Sequence, residues 1–170
     1  MLTVTAGLFI TACSTIQKTD VFSRTEVIGS NPFITGDRGA SVYFIRPFTE
    51  RAMGAADNII TVDINDTELL KIDKGEYTLV NLKPTENAVI TAYNLTAWGS
   101  PDRNLKTMSK SRQFTFIEGR TYFINLDMVD GEFRGVHYVP TSIDLETARK
   151  LTKRMRPVGN PAQAQPIESL

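Results

Sequence analysis

Between residues 40 and 139 apolar side chains return at every second position in several short runs, the period of a β-strand with one buried face. Ile60, Val62 and Ile64 alternate with Thr61 and Asp63. Tyr122, Ile124, Leu126 and Met128 alternate through Thr121 to Met128. That alternation is the cleanest in the chain and predicts a central strand with Ile124 in the core. Val42-Tyr43-Phe44-Ile45 is instead continuous, as in a strand covered on both faces, and stops at Arg46-Pro47. Leu70 and Ile72 predict a short return strand, and Ala88–Tyr93 and Arg112–Phe116 two more. Phe133–Val139 leads back to Pro140. At Leu79-Val80 the alternation slips, which predicts a bulge or a strand end before Lys83-Pro84 closes that piece.

The breaks carry turn chemistry. Asn65-Asp66-Thr67, Asp73-Lys74-Gly75, Glu118-Gly119 and Asp130-Gly131 combine residues that tolerate left-handed backbone. Arg51–Asn58 and Trp98–Met108 read as longer loops. Short strands at regular spacing, joined by such turns, predict a sandwich or a barrel. The helical period occurs once. Thr141-Ser142-Ile143-Asp144 resembles a capping signature, Leu145, Ala148, Leu151 and Met155 then share one face, and Pro157 ends the helix.

The remainder divides the chain. Residues 2 to 12 form an uncharged apolar run, too short for a transmembrane helix, which needs about 20 apolar residues. The run has the character of a signal-peptide core. It ends in Ile10-Thr11-Ala12-Cys13, which resembles the bacterial lipobox: an aliphatic residue, two small residues, then the cysteine. Small side chains let a peptidase grip extended backbone, and the Cys13 thiol takes a diacylglycerol. No Lys or Arg precedes the run, although a signal peptide carries one there; a start upstream of Met1 would supply it. Ser14 rather than Asp after the cysteine points to the outer membrane, on its periplasmic face. The expected organisation is a signal segment over 1–12, a tether over 13–38, a β-domain with its helix over 39–156, and a disordered Pro- and Gln-rich tail over 157–170. Within the tether, Val27, Ile28, Phe33 and Ile34 are the residues expected to touch the domain.

The order of several segments resembles a bacterial lipoprotein family of unknown function. Ser41-Val42-Tyr43-Phe44-Ile45-Arg46-Pro47 is similar to its opening strand, and Ile60–Asp66 to a strand presenting a short turn. Gly75-Glu76-Tyr77 and Glu118-Gly119-Arg120-Thr121-Tyr122-Phe123 are similar to its Gly-x-Tyr and Gly-Lys-x-Tyr-Tyr steps. Lys83-Pro84-Thr85 departs from the Pro-Gly expected before the central strand. The resemblance covers residues 39 to 153. It implies an Ig-like or prealbumin-like antiparallel β-sandwich with one C-terminal helix, akin to carboxypeptidase regulatory-like modules. It implies no catalytic residues and no cofactor.

Composition narrows the chemistry. The 170 residues balance 19 Lys and Arg against 19 Asp and Glu, so no global field draws the chain to nucleic acid. One Cys and one His, far apart, do not make a zinc site, and no metal is expected. His137 has neither a nucleophile elbow nor an orienting acid in its sequence neighbourhood, so it reads as a strand residue. Asp127, Asp130 and Glu132 lack calcium-loop spacing and read as a solvated turn. Gly36-Asp37-Arg38-Gly39 is not followed by the Lys-Ser or Lys-Thr of a phosphate loop. Arg103, Lys106, Lys110 and Arg112 read as a solvated loop and edge strand rather than a lipid-binding run. The five tyrosines fall in strands and read as packing. Trp98, in a polar loop beside Gly99 and Pro101, is the candidate contact residue. The expected function is that of a lipid-anchored envelope protein, not an enzyme. Its sandwich would bind or scaffold other envelope proteins, as a subunit of a secretion or motility machine would. A small-ligand or peptidoglycan-binding lipoprotein is the alternative, and an envelope hydrolase is disfavoured by the missing constellation.

Overall fold

The computed structural model describes residues 23–36, 38–48, 59–97, 104–106, 109–131, 135–159 and 166–170. In chain order the strands are β1 Glu26–Val27, β2 Ala40–Arg46, β3 Ile60–Ile64, β4 Thr67–Ile72, β5 Glu76–Leu82 and β6 Thr85–Tyr93. They continue with β7 Leu95–Ala97, β8 Asn104–Lys106, β9 Arg112–Phe116, β10 Thr121–Gly131 and β11 Gly135–Ile143. Helix α1 spans Leu145–Thr152, β12 is Arg156–Pro157, and a 3-10 turn covers Ile167–Ser169. The fold is a mainly β sandwich of two five-stranded sheets, in the orders β1-β4-β3-β6-β9 and β11-β10-β2-β5-β12, with one α-helix among the described residues. Most neighbours run antiparallel; β2 with β10 and β5 with β12 run parallel.

The inward positions follow the predicted alternation. Val42 and Phe44 of β2, Ile60, Val62 and Ile64 of β3, and Ile124 and Leu126 of β10 meet in one core between the sheets. Tyr122 and Met128 pack against it, so the four apolar positions of β10 do share a face. β10 lies between β11 and β2, and Ile124 is buried.

A second apolar layer explains the continuous run in β2. Tyr43 and Ile45 point away from the inter-sheet core and pack with Tyr77, Phe123, Ala148 and Ile167. Tyr43 stacks on Phe123 with ring centroids 5.3 Å apart. The helix and the 3-10 turn thus cover the outer face of the second sheet, making a third layer. The slip at Leu79-Val80 has the same cause. β5 runs without a bulge in register with β2, from Arg46↔Glu76 to Ala40↔Leu82. Val80 and Leu82 face the inter-sheet core and Leu79 the helix layer, so both parities are apolar. The expected bulge or strand end is absent.

Turn chemistry acts as anticipated at Asn65-Asp66, whose φ angles of 47° and 61° are left-handed. The Asn65 side chain also accepts the Val89 N–H at 2.8 Å, tying this turn to β6. Gly75 has a φ of 73°, and a Cβ there would strike the Phe48 ring. The left-handed φ makes any side chain at Gly75 strained, and one there would also displace the Phe48 ring.

Several expectations are refined or corrected. The helix ends at Thr152 rather than at Pro157, and Thr152 Oγ1 donates back to the Ala148 carbonyl at 2.8 Å. Pro157 instead lies in β12, at the sheet edge where a missing N–H costs nothing. Pro140 likewise does not stop its strand, because β11 is the opposite edge. Asp144 rather than Thr141 starts the helix, its carboxylate accepting the Thr147 N–H at 2.7 Å. Within Trp98–Met108, expected as a loop, Asn104–Lys106 form β8, which pairs with β7 just before the segment. The tail over 157–170 is not wholly free: Val158 and Ile167 are buried, and the Val158 N–H donates to the Tyr77 carbonyl at 2.9 Å. At the other end, β1 joins β4 within the segment expected as tether, and Val27, Phe33 and Ile34 pack on the core. Asp130-Gly131, expected as a turn, belongs to β10, and Gly131 pairs with Gly135; residues 132–134 lie outside the described residues.

Candidate functional site

Charge inside this sandwich is concentrated at one end of the inter-sheet core. Arg46 and Glu76 are cross-strand partners at the ends of β2 and β5, and both are 2 % exposed. Inward parity brings Arg46 under the first sheet, where its Nη1 donates to the Ile72 carbonyl at 2.9 Å. Its guanidinium also lies over the Tyr138 ring, 5.8 Å from the centroid. The Glu76 carboxylate accepts from three side chains on two remote segments. Ser23 Oγ, at 2.8 Å, and Thr25 Oγ1 donate to Oε2, and Arg156 Nη2 pairs with Oε1. Thr25 Oγ1 accepts the Asp73 N–H at 2.9 Å, and Arg24 pairs with Asp73 at 3.1 Å. Burial pushes the Asp73 carboxyl up, but the Arg24 hydrogen bond, the Lys74 N–H and the charges of Arg24 and Arg46 outweigh it. They hold the group below its ordinary value.

This cluster is a clasp rather than an acid–base site. Both Glu76 oxygens are occupied and the carboxylate is out of solvent, so it has no open position for a substrate. Its effect is to pin the segment arriving at Ser23 and the strand leaving the helix at Arg156 to the same residue. Sequence reading missed it, since a single acid beside a glycine turn looks solvated. The one available clue was Arg46 closing an otherwise apolar run.

A second buried polar pair lies on the first sheet. Tyr93 OH donates to Asp63 Oδ1 at 3.1 Å, and both side chains are buried. Burial first, then the Asp63 charge and hydrogen bond, push the Tyr93 phenol well above its ordinary value. Burial also raises Tyr43, with Tyr77 adding to it. It raises Tyr77 as well, with the Glu168 charge adding and the Ile167 backbone opposing. A raised phenol favours the folded state while the unfolded tyrosine is still protonated. That stability is present below pH 10.0 and is lost as pH rises through the folded values. Tyrosinate absorbance is therefore expected to appear together with loss of β circular dichroism above that pH. Full titration of the tyrosines at their ordinary value in an intact fold would contradict this.

The sequence-derived candidates distribute as follows. Cys13 with Ile10, Thr11 and Ala12, the contact candidate Trp98, and Arg103, Glu132 and Asp37 lie outside the described residues. His137 sits half-buried on β11 opposite Val129, with Nε2 buried and without a hydrogen-bond partner. Asp127 is exposed on β10, where its carboxylate accepts the Met128 N–H at 2.9 Å. Lys110 and Arg112 are exposed, Arg112 on β9 at the edge of the first sheet. Tyr43, Tyr77, Tyr93 and Tyr138 are buried and Tyr122 half-buried, which is packing rather than a platform. Among the described residues no three His, Cys, Asp or Glu side chains converge as metal ligands would. No helix among them is long and apolar enough to cross a membrane. Comparison with protein-family models, with curated proteins and with solved structures finds no match.

Proposed function

We propose that this chain is a lipid-anchored envelope protein whose β-sandwich binds or scaffolds other envelope components without catalysing a reaction. The observation that carries the reading is the run of residues 2–12 closing in Ile10-Thr11-Ala12-Cys13 directly ahead of a polar stretch. A β-sandwich attached through its own N-terminal segment suits this use. Ser23 and Thr25 are fixed on buried Glu76, ten and twelve residues after Cys13, so a pull on the anchor is delivered to the fold rather than to a loose end. The rigid, three-layered body then serves as a spacer and docking unit beside the membrane.

Cys13→Ser is expected to leave the fold intact and to shift the protein from the membrane fraction to the soluble fraction. One acyl chain anchors marginally and two or more hold firmly, at about 0.8 kcal/mol per buried CH₂. Membrane retention of the variant equal to that of the wild type would count against the reading.

A further inference from the structure

The 19 basic and 19 acidic residues of the chain are unevenly placed. From Thr147 to Arg156 there are five basic residues and no acidic one. Ala148 and Thr152 mark the buried side of α1. At about 100° per residue, Lys150 and Lys153 fall on the opposite side and Arg149 on its flank, and Lys153 and Arg154 extend the run past the helix end. All four are exposed. Lys150 pairs with Glu146 at 2.8 Å, whereas Arg149, Lys153 and Arg154 have no carboxylate partner among the described residues. Basic residues in a last turn favour any helix through its dipole, which accounts for Arg149 and Lys150. The dipole reaches Lys153 at the C-cap, but it does not account for Arg154 or for the position of the cluster in the molecule.

That position is the second observation. Arg156 follows Arg154 by two residues and its guanidinium is on Glu76. The same carboxylate holds Ser23, where the segment from Cys13 enters the fold. The basic turn and the entry of the N-terminal segment therefore share one corner of the molecule. Ten backbone steps separate Cys13 from Ser23, a reach of at most about 36 Å. An anchor in the bilayer holds this corner within that distance of the lipid headgroups.

We infer that Arg149, Lys150, Lys153 and Arg154 form a docking face for anionic phospholipid headgroups, against which the sandwich lies when Cys13 is anchored. The inference rests on the lipid-anchor reading for the approach, and on the charge and placement of α1 for the contact. Clustered Lys and Arg near a negative leaflet each add to binding, and the effect fades within a Debye length. Docking of this kind sets the orientation of the body: α1 toward the bilayer, the first sheet and its β9 edge away from it and open to partners.

The test compares the full chain with a variant carrying Arg149→Glu, Lys150→Glu, Lys153→Glu and Arg154→Glu. Each is co-sedimented with vesicles of phosphatidylcholine alone and of phosphatidylcholine mixed with phosphatidylglycerol. Residues 2–12 are uncharged, so any insertion of that run raises binding to both vesicle types, and the ratio between them reads the basic face. The wild type is expected to favour the anionic vesicles by about tenfold or more at low salt, and to lose the preference at high salt. The reversal is expected to abolish the preference while leaving the thermal melt close to wild type. A second variant with glutamine at the four positions, which adds no repulsion, is expected to fall between the two. Equal binding of the wild type to both vesicles, or an anionic preference retained by both variants, overturns the docking face whatever the state of Cys13. Absence of acyl label on Cys13 would instead overturn the anchor, so the two failures are distinguishable.

Discussion

Glu76→Ala is expected to destabilise the fold by about 3–5 kcal/mol, the cost of removing one partner from a buried, hydrogen-bonded charge cluster. The carboxylate is the common acceptor of Ser23, Thr25 and Arg156 and the cross-strand neighbour of Arg46. Alanine there takes away three acceptor contacts at once and leaves the Arg156 guanidinium without this carboxylate. Against about 5–15 kcal/mol for a whole domain, such a loss lowers the urea midpoint markedly. The signature beyond stability is that two segments remote in sequence loosen together. Hydrogen exchange should rise around Thr25 and around Arg156–Val158, because both are held on this residue. Glu76→Gln, which keeps the shape and the acceptor on one oxygen but not the charge, should fall in between. A Glu76→Ala melt superimposable on the wild type would show that the clasp contributes nothing.

Ile124→Ala is expected to cost about 2–5 kcal/mol through lost transfer energy and the cavity left behind. Ile124 is 1 % exposed, on a strand with neighbours on both sides, and its Cα partners are Phe44 on β2 and Ser142 on β11. Its side chain belongs to the apolar core between the two sheets. Lys110→Ala, by contrast, changes an exposed side chain and should move the urea midpoint little. Equal effects of the two substitutions would mean that β10 does not face the core as described.

The contrast between these two residues shows what was legible in the sequence. β10 could be read because one face meets the core and the other carries Thr121, Asn125 and Asp127, so alternation survives in the composition. β5 could not be read fully, since a strand between two apolar layers needs apolar residues at both parities, and Leu79-Val80 then imitates a defect. Pro140 and Pro157 suggested ends because the rule against proline applies to interior strands; edge positions became known only with the sheet order. Val158 and Ile167 were hidden in a stretch whose Pro and Gln content reads as disorder, although two buried apolar residues suffice to hold it locally on the helix layer and β5. Glu76 was illegible for a different reason. Its partners lie 80 residues on, at Arg156, and 53 and 51 residues back, at Ser23 and Thr25, and no local pattern encodes such a meeting. The proposed lipidation site is the reverse case: it is a local chemical word, Ile10-Thr11-Ala12-Cys13, legible in sequence and lying outside the described residues.

The sandwich, the clasp at Glu76 and the basic face of α1 acquire a common purpose only if Cys13 is acylated. Metabolic labelling with a tagged fatty acid in a bacterial host, comparing wild type with Cys13→Ser, tests that claim most directly. The expected result is label on the wild-type chain and none on the variant, with both chains giving the same β circular dichroism. Equal labelling of the two chains, or no label on either, would contradict the account.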